Sequence, residues 1–242
     1  MCYTESNSGT WHFCGIFPAM EQKVEGWVIM KKILFVASEA VPFIKTGGLA
    51  DVVGSLPKCF DKEYFDVRVM IPKYLCIKDK FLSNLTYVNH FYMDLCWRRQ
   101  YVGIMEMEYE GVKYYFIDNE YYFAGEKPYS DIRYDLEKFA FFSRAVLSAL
   151  PVIGFRPDII HCHDWQTGLV PVYLKDSFSY GDFYQGIKSI MTIHNLKFQG
   201  VWDIDTIKDI AGLSDYYFTS DKLKDYDDGN YLKGGIVYAD MV

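Results

Sequence analysis

Three short polar clusters hold the residues best suited to chemistry. Lys45-Thr46-Gly47-Gly48 joins a cation to two glycines, with Asp51 close behind. A glycine pair leading into a helix can turn backbone N–H groups and the positive helix end toward an anion, and Lys45 adds a full charge there. A tight strand-to-helix turn with an exposed lysine accounts for the same residues, and two glycines alone do not choose. The dinucleotide pattern G-x-G-x-x-G and the P-loop pattern G-x-x-x-x-G-K-[ST] are absent, which disfavours nicotinamide redox chemistry and P-loop ATP hydrolysis.

The second and third clusters are His161-Cys162-His163-Asp164 and His194-Asn195. Read at a strand end, His161 and His163 are expected on opposite sides, and only His194 could add another ligand, so no metal is expected. His161 then faces the core, Cys162 points inward, and His163 and Asp164 face a crevice. A crevice histidine can donate to a sugar hydroxyl or carbonyl. Asp164 is expected to cap the following helix in preference to orienting a loop. His12 and His90 lack polar neighbours and read as structural. No G-x-S-x-G elbow supports an α/β-hydrolase.

Strand-length apolar runs alternate with helical patterns, and these must position the clusters. Ile33–Ala37 is a buried-strand run, followed by a helix from about Leu49 to Cys59 and a strand Asp66–Ile71 closed by Pro72. Tyr87–Trp97, Arg99–Tyr109 and Val112–Ile117 read as an antiparallel extension, with a hairpin turn at Glu110-Gly111. Asp135–Leu150 is helical and stops before Pro151. Asp158–His161 is a short strand, Trp165 to about Lys175 a helix, and Ile187–Ile193 a strand. The fold class is α/β, a Rossmann-like parallel sheet with helices on both faces. In such a sheet the three clusters converge, because each follows a strand's C-terminal end, where the ligand crevice lies.

Composition narrows the partners. The chain has 242 residues with 25 Lys and Arg against 32 Asp and Glu, a net charge of −7. Without a basic tract, neither nucleic acid nor an anionic membrane surface is expected as a partner. No run is long and apolar enough for a transmembrane helix. The six cysteines show no paired spacing and suit a reducing, cytoplasmic setting. Residues 1–29 differ in texture from the rest of the chain and read as an upstream extension, expected to be poorly ordered. The 21 Tyr, 18 Phe and 5 Trp are numerous. Those of 87–123 and 139–142 are expected in the core, whereas Trp165, Phe198 and Trp202 follow strand ends and are expected to touch ligand.

Four segments together resemble bacterial glycogen synthases and plant starch synthases: Met30–Pro57 with K-T-G-G-L-A-D-V, Pro157–Leu169 with H-C-H-D-W, Thr192–Gly200, and Asn230–Asp240. The resemblance spans 30–242 and implies the N-terminal half of a GT-B fold, in which two Rossmann-like domains face a cleft. It implies glucose transfer from ADP-glucose to the non-reducing end of an α-1,4-glucan with retention, and no cofactor. Carried over, Lys45, Gly47, Gly48 and Asp51 would contact ADP-glucose and His163 would act at the catalytic centre. His194, Asn195, Asp135 and Trp165 would line the acceptor side of the cleft. Two positions depart from the family: Tyr134 stands where an acidic residue is usual, with Asp135 beside it as a substitute, and Lys138 replaces an arginine. The family's second, nucleotide-binding domain has no counterpart before Val242, so the chain alone is expected to be inactive, with Ile236, Val237, Tyr238 and Met241 forming an exposed apolar patch. A stand-alone α-glucan-binding module is the alternative reading.

Overall fold

The computed structural model describes residues 30–242, together with the backbone of two short strands, Tyr3–Glu5 and Trp11–Phe13, which pair antiparallel. The expectation of poor order for the rest of residues 1–29 lies outside the described residues. Residues 31–242 form one compact unit.

Its centre is a seven-stranded sheet. In chain order the strands are β1 (Lys31–Val36), β2 (Phe65–Pro72), β3 (Thr86–Leu95), β4 (Arg98–Tyr109), β5 (Val112–Asp118), β6 (Ile159–His163) and β7 (Lys188–Thr192). They lie in the order β3-β4-β5-β2-β1-β6-β7. The five strands from β5 to β7 are parallel, and β3 and β4 add an antiparallel ribbon at one edge. This is the expected α/β class with its hairpin extension. The continuous apolar run of β1 is explained by its place: it is flanked by β2 and β6 and is buried from Ile33 to Val36.

The main helices are α1 (Gly48–Ser55), α2 (Ile132–Val152), α3 (Leu169–Lys175), α4 (Ile204–Ala211) and α5 (Tyr231–Tyr238). α2 begins earlier than its apolar periodicity, because Asp131 caps it by accepting from the Arg133 amide at 3.0 Å. It also runs through Pro151, contrary to expectation. A proline in the last turn leaves the Leu147 carbonyl without its usual donor, and the Tyr184 hydroxyl supplies one at 2.9 Å. At the hairpin, Glu110 and Gly111 both adopt positive φ (48° and 74°), the type I′ turn suited to the strand twist. The expected helix after Trp165 is divided, with a 3-10 turn over Trp165–Thr167 and α3 beginning past Gly168. Among the described residues no helix is long and apolar enough to cross a membrane.

From β1 the chain passes to β2 on one side, and later reaches β6 on the other. The C-terminal ends of β1 and β6 therefore border the switch-point crevice.

Candidate active-site crevice

The end of β1 holds the glycine loop from beneath. Glu39 is buried. Its carboxylate accepts from the Thr46 amide, from Thr46 Oγ1 at 2.7 Å and from the Tyr129 hydroxyl, which also meets Ser38 Oγ at 2.8 Å. Above this anchor Lys45 Nζ pairs with Asp51 Oδ1 at 2.8 Å, and both side chains are about half exposed. A Cβ added at Gly47 or Gly48 would meet no atom within 4 Å. The protein's own packing therefore does not require glycine there. Gly54 differs, since a Cβ on it would stand 2.3 Å from Val41 Cγ2. Open space, a cation and the start of a helix together leave this loop able to receive an anionic group.

Sequence reasoning missed Glu39 and Tyr129. A signal was present: Ser38-Glu39 are the first polar residues after the apolar run of β1, on the same edge as the other clusters.

At the end of β6 the imidazoles lie differently from expectation. Side chains two apart on a strand share a face, so His161 and His163 stack with centroids 4.3 Å apart instead of pointing to opposite sides. Cys162, on the other face, is buried as expected, and burial pushes its thiol pKa up. His163 is fully buried against Phe35, at 5.5 Å between centroids, and does not face the crevice. Its Nδ1 lies 2.9 Å from His194 Nε2, while its own Nε2 is buried without a hydrogen-bond partner. In a contact between two ring nitrogens one must accept, so at least one of these rings is neutral. Burial, with His194 adding repulsion, pushes the His161 pKa down to about 4, and burial also holds His163 well below the ordinary range. His161 Nε2 lies 2.7 Å from Thr192 Oγ1.

Asp164 orients a loop and makes no capping bond to the turn after it. Its Oδ1 accepts from the amides of His194 (2.6 Å) and Asn195 (3.2 Å). This fixes the loop after β7 against the end of β6. Burial raises the Asp164 pKa, opposed by those two amides. Its backbone sits at φ 57°, ψ −178°, a conformation that side chains rarely adopt and that the surrounding bonds must hold. Thr167 Oγ1 contributes by accepting from the His163 amide at 2.7 Å.

His194 and Asn195 follow the end of β7 beside the His161–His163 stack, the first half-buried and the second exposed, whereas Asp135 and Trp165 are buried. Asp135 is buried in an ion pair with Lys138 at 2.7 Å and accepts from Ser130 N and Oγ, while Lys138 also reaches the Pro128 carbonyl at 2.8 Å. The pair holds the loop that carries Tyr129. Trp165 is buried edge-on to Phe139 at 5.3 Å, and a Cβ on Gly200 would stand 2.4 Å from its ring. Phe198 is exposed at 56%, and Trp202 is half-buried against the core. Of the four C-terminal apolar residues, Ile236, Val237 and Met241 are exposed, and Tyr238 is half-buried. Among the described residues no group of three His, Cys, Asp or Glu is placed to hold a metal ion.

The family model for the starch synthase catalytic domain matches residues 32–242. The chain belongs to the starch synthase catalytic-domain family. Similar members include the glycogen synthases of Lachnospira eligens (73% identical) and Lachnoclostridium phytofermentans (67%), each aligned over 213 residues, or 88% of this chain and 45% of the relative. The chain therefore spans less than half the length of these starch synthase-family relatives. Among solved structures, the catalytic domain of starch synthase IV from Arabidopsis thaliana, bound to ADP and acarbose, superposes with a TM-score of 0.75 at 27% identity, covering 87% of this chain and 44% of that one.

Proposed function

We propose that residues 30–242 form the N-terminal, acceptor-side half of a GT-B glycosyltransferase of the cytoplasm. The reaction moves glucose from ADP-glucose to the non-reducing end of an α-1,4-glucan with retention of configuration. The observation that carries this reading is the family match over 32–242, joined to a crevice in which three family motifs meet at the β1 and β6 ends. ADP on the Arabidopsis relative supports an adenine nucleotide as the donor's carrier.

In this reading Lys45, Gly47 and Gly48 receive the donor's diphosphate end, with Asp51 holding the lysine. His163 stays neutral and buried, and acts through His194, which its Nδ1 meets at 2.9 Å at the crevice edge. A neutral ring suits that task, since it adds no charge beneath a neutral sugar. His194 and Asn195 line the acceptor path. The groups that stabilise charge on the leaving diphosphate belong to the half of the relatives that this chain does not span, so the chain alone transfers no glucose.

The test joins this chain to the C-terminal half of the Lachnospira eligens enzyme. Labelled glucose is expected to pass from ADP-glucose to glycogen with the fusion and not with the 242-residue chain. Transfer by the chain alone, or none by a folded fusion, overturns the proposal.

A further inference from the structure

Residues 125–130 are held in place by side chains. The stretch begins just past the buried rings of Tyr122 and Phe123. Those two fit the expected core of 87–123, whereas Tyr87, Tyr92, Trp97 and Tyr121 are exposed. Among the described residues, none of 125–130 makes a backbone-to-backbone hydrogen bond. Two side chains of α2 take that place. Lys138 Nζ donates to the Pro128 carbonyl at 2.8 Å, and Asp135 accepts from the Ser130 amide and hydroxyl at 2.9 and 3.0 Å. The two also pair with each other at 2.7 Å, and they are only 2% and 4% exposed. Burying two charges carries a desolvation penalty that their attraction does not reliably offset, and apolar residues of similar volume stabilise such a place as well or better. Stability alone therefore does not account for the pair.

What the pair holds does account for it. Pro128 and Ser130 flank Tyr129, so that residue is gripped on both sides. The Tyr129 ring lies 6.0 Å from that of Phe139 on α2, and its hydroxyl reaches Glu39 and Ser38 past the end of β1. Burial and the Glu39 charge hold the Tyr129 pKa well above its ordinary value, so the hydroxyl keeps its proton and donates to the carboxylate. The same carboxylate accepts from the Thr46 amide and hydroxyl. Thr46 stands two residues before α1, and the N-cap residue between them, Gly47, has no side chain to close the helix end. The exposed glycine loop is thus tied from beneath by one chain of bonds, from Lys138 and Asp135 through 128–130, Tyr129 and Glu39 to Thr46.

We propose that Lys138 and Asp135 are positioning residues for the glycine loop: through Tyr129 and Glu39 they set where Thr46, Gly47 and Gly48 stand, and so tune affinity for a diphosphate-bearing donor. This rests on the function proposed above, in which that loop receives the donor's diphosphate end. Being buried, the pair itself meets no substrate. The physical gain is preorganisation, since N–H groups already aimed at an anion are not ordered at the moment it binds. Open space above Gly47 and Gly48 leaves the tie to Glu39 as the restraint on this loop from the protein side. A lysine, where the family has arginine, presents one compact charge to the Pro128 carbonyl and the Asp135 carboxylate together.

Hydrogen exchange on the 242-residue chain tests the route, with circular dichroism to confirm that each variant is folded. Tyr129→Phe should speed exchange in residues 44–49 by about tenfold and leave 125–131 unchanged. Lys138→Met should speed both segments. Because it strands a buried carboxylate, Lys138→Met combined with Asp135→Leu removes both charges together and should act in the same way. Wild-type exchange at 44–49 in any of these folded variants overturns the proposal. In the fusion enzyme they should raise KM for ADP-glucose about threefold to tenfold, with kcat and KM for glycogen nearly unchanged. A fall in kcat at unchanged KM reports a smaller folded fraction, the mark of a merely structural pair, and also overturns it. A fusion of the unaltered sequence that transfers no glucose sinks the transferase reading instead, and the exchange result then decides for or against the route by itself.

Discussion

The ends of β1 and β6 are neighbours in the sheet and border one crevice, yet they are built in opposite ways. The β1 end is open. Its glycines face empty space, and its lysine and aspartate are half exposed. The β6 end is dry: two stacked imidazoles lie under the sheet edge, the carboxylate of Asp164 is spent on backbone amides, and Gly168 is packed tight. An open loop can admit a large charged group without moving. A dry one holds titratable groups neutral and fixed, at a cost in stability. The two ends suit different parts of one task, binding charge and placing a neutral ring.

The largest effect that sharpens this contrast comes from glycine. A Cβ at Gly168 would stand 2.2 Å from the Tyr231 carbonyl oxygen, a backbone atom that cannot step aside cheaply. Gly168→Ala is expected to cost about 3 kcal/mol in a urea denaturation series. Gly47→Ala should change stability by less than about 1 kcal/mol. Equal costs would erase the distinction between the two ends.

The dry end should also be sensitive to acid. His161 titrates near 4 when folded and near 6.5 when unfolded. The unfolded chain therefore takes up the proton first, so the stability is complete above pH 6.5 and lost as pH falls toward 4, by ~3 kcal/mol for this one residue. His163 acts in the same direction. Asp164, shifted upward, acts in the other, so comparison with His161→Gln isolates the imidazole contribution. Identical stability profiles for the two proteins between pH 7 and 4 would break the claim.

Asp164→Asn should cost about 2 kcal/mol, because two backbone amides lose a charged, largely buried acceptor. Hydrogen exchange would place the loss at residues 194–195. Lys45→Ala, at the open end, should change stability by under ~1 kcal/mol, as an exposed ion pair does. In the fusion enzyme the same change should raise KM for ADP-glucose. A denaturation midpoint shifted more by Lys45→Ala than by Asp164→Asn would reverse the comparison.

Local pattern made much of the fold legible. The apolar run of β1, the Glu110-Gly111 turn and the Asp66–Ile71 strand all state their conformation within a few residues, and three polar clusters sat where a parallel sheet needs them. Errors came where a partner distant in sequence decides. Pro151 stays helical because Tyr184 satisfies the orphan carbonyl, which no local signal announces. Trp165 looked like a crevice aromatic by position, but Phe139 and Gly200 enclose it. Asp135 looked like a cleft acid, but Lys138 and Ser130 claim its carboxylate. The placement of His161 and His163 was legible and misread: a two-residue spacing on a strand puts both on one face.

The sequence by itself determined the order of strands and helices, the family and the edge of the sheet where the chemistry gathers. Those follow from periodicity, turn residues and motifs, all short-range properties. Tertiary structure alone decided which polar and aromatic groups are available. Burial, and with it the neutral state of His161 and His163, the anchoring of Thr46 by Glu39 and of Glu39 by Tyr129, depends on contacts between segments far apart in the chain. A side chain's type fixes what chemistry it can do. The dielectric and the neighbours around it, set only by folding, fix whether it does so.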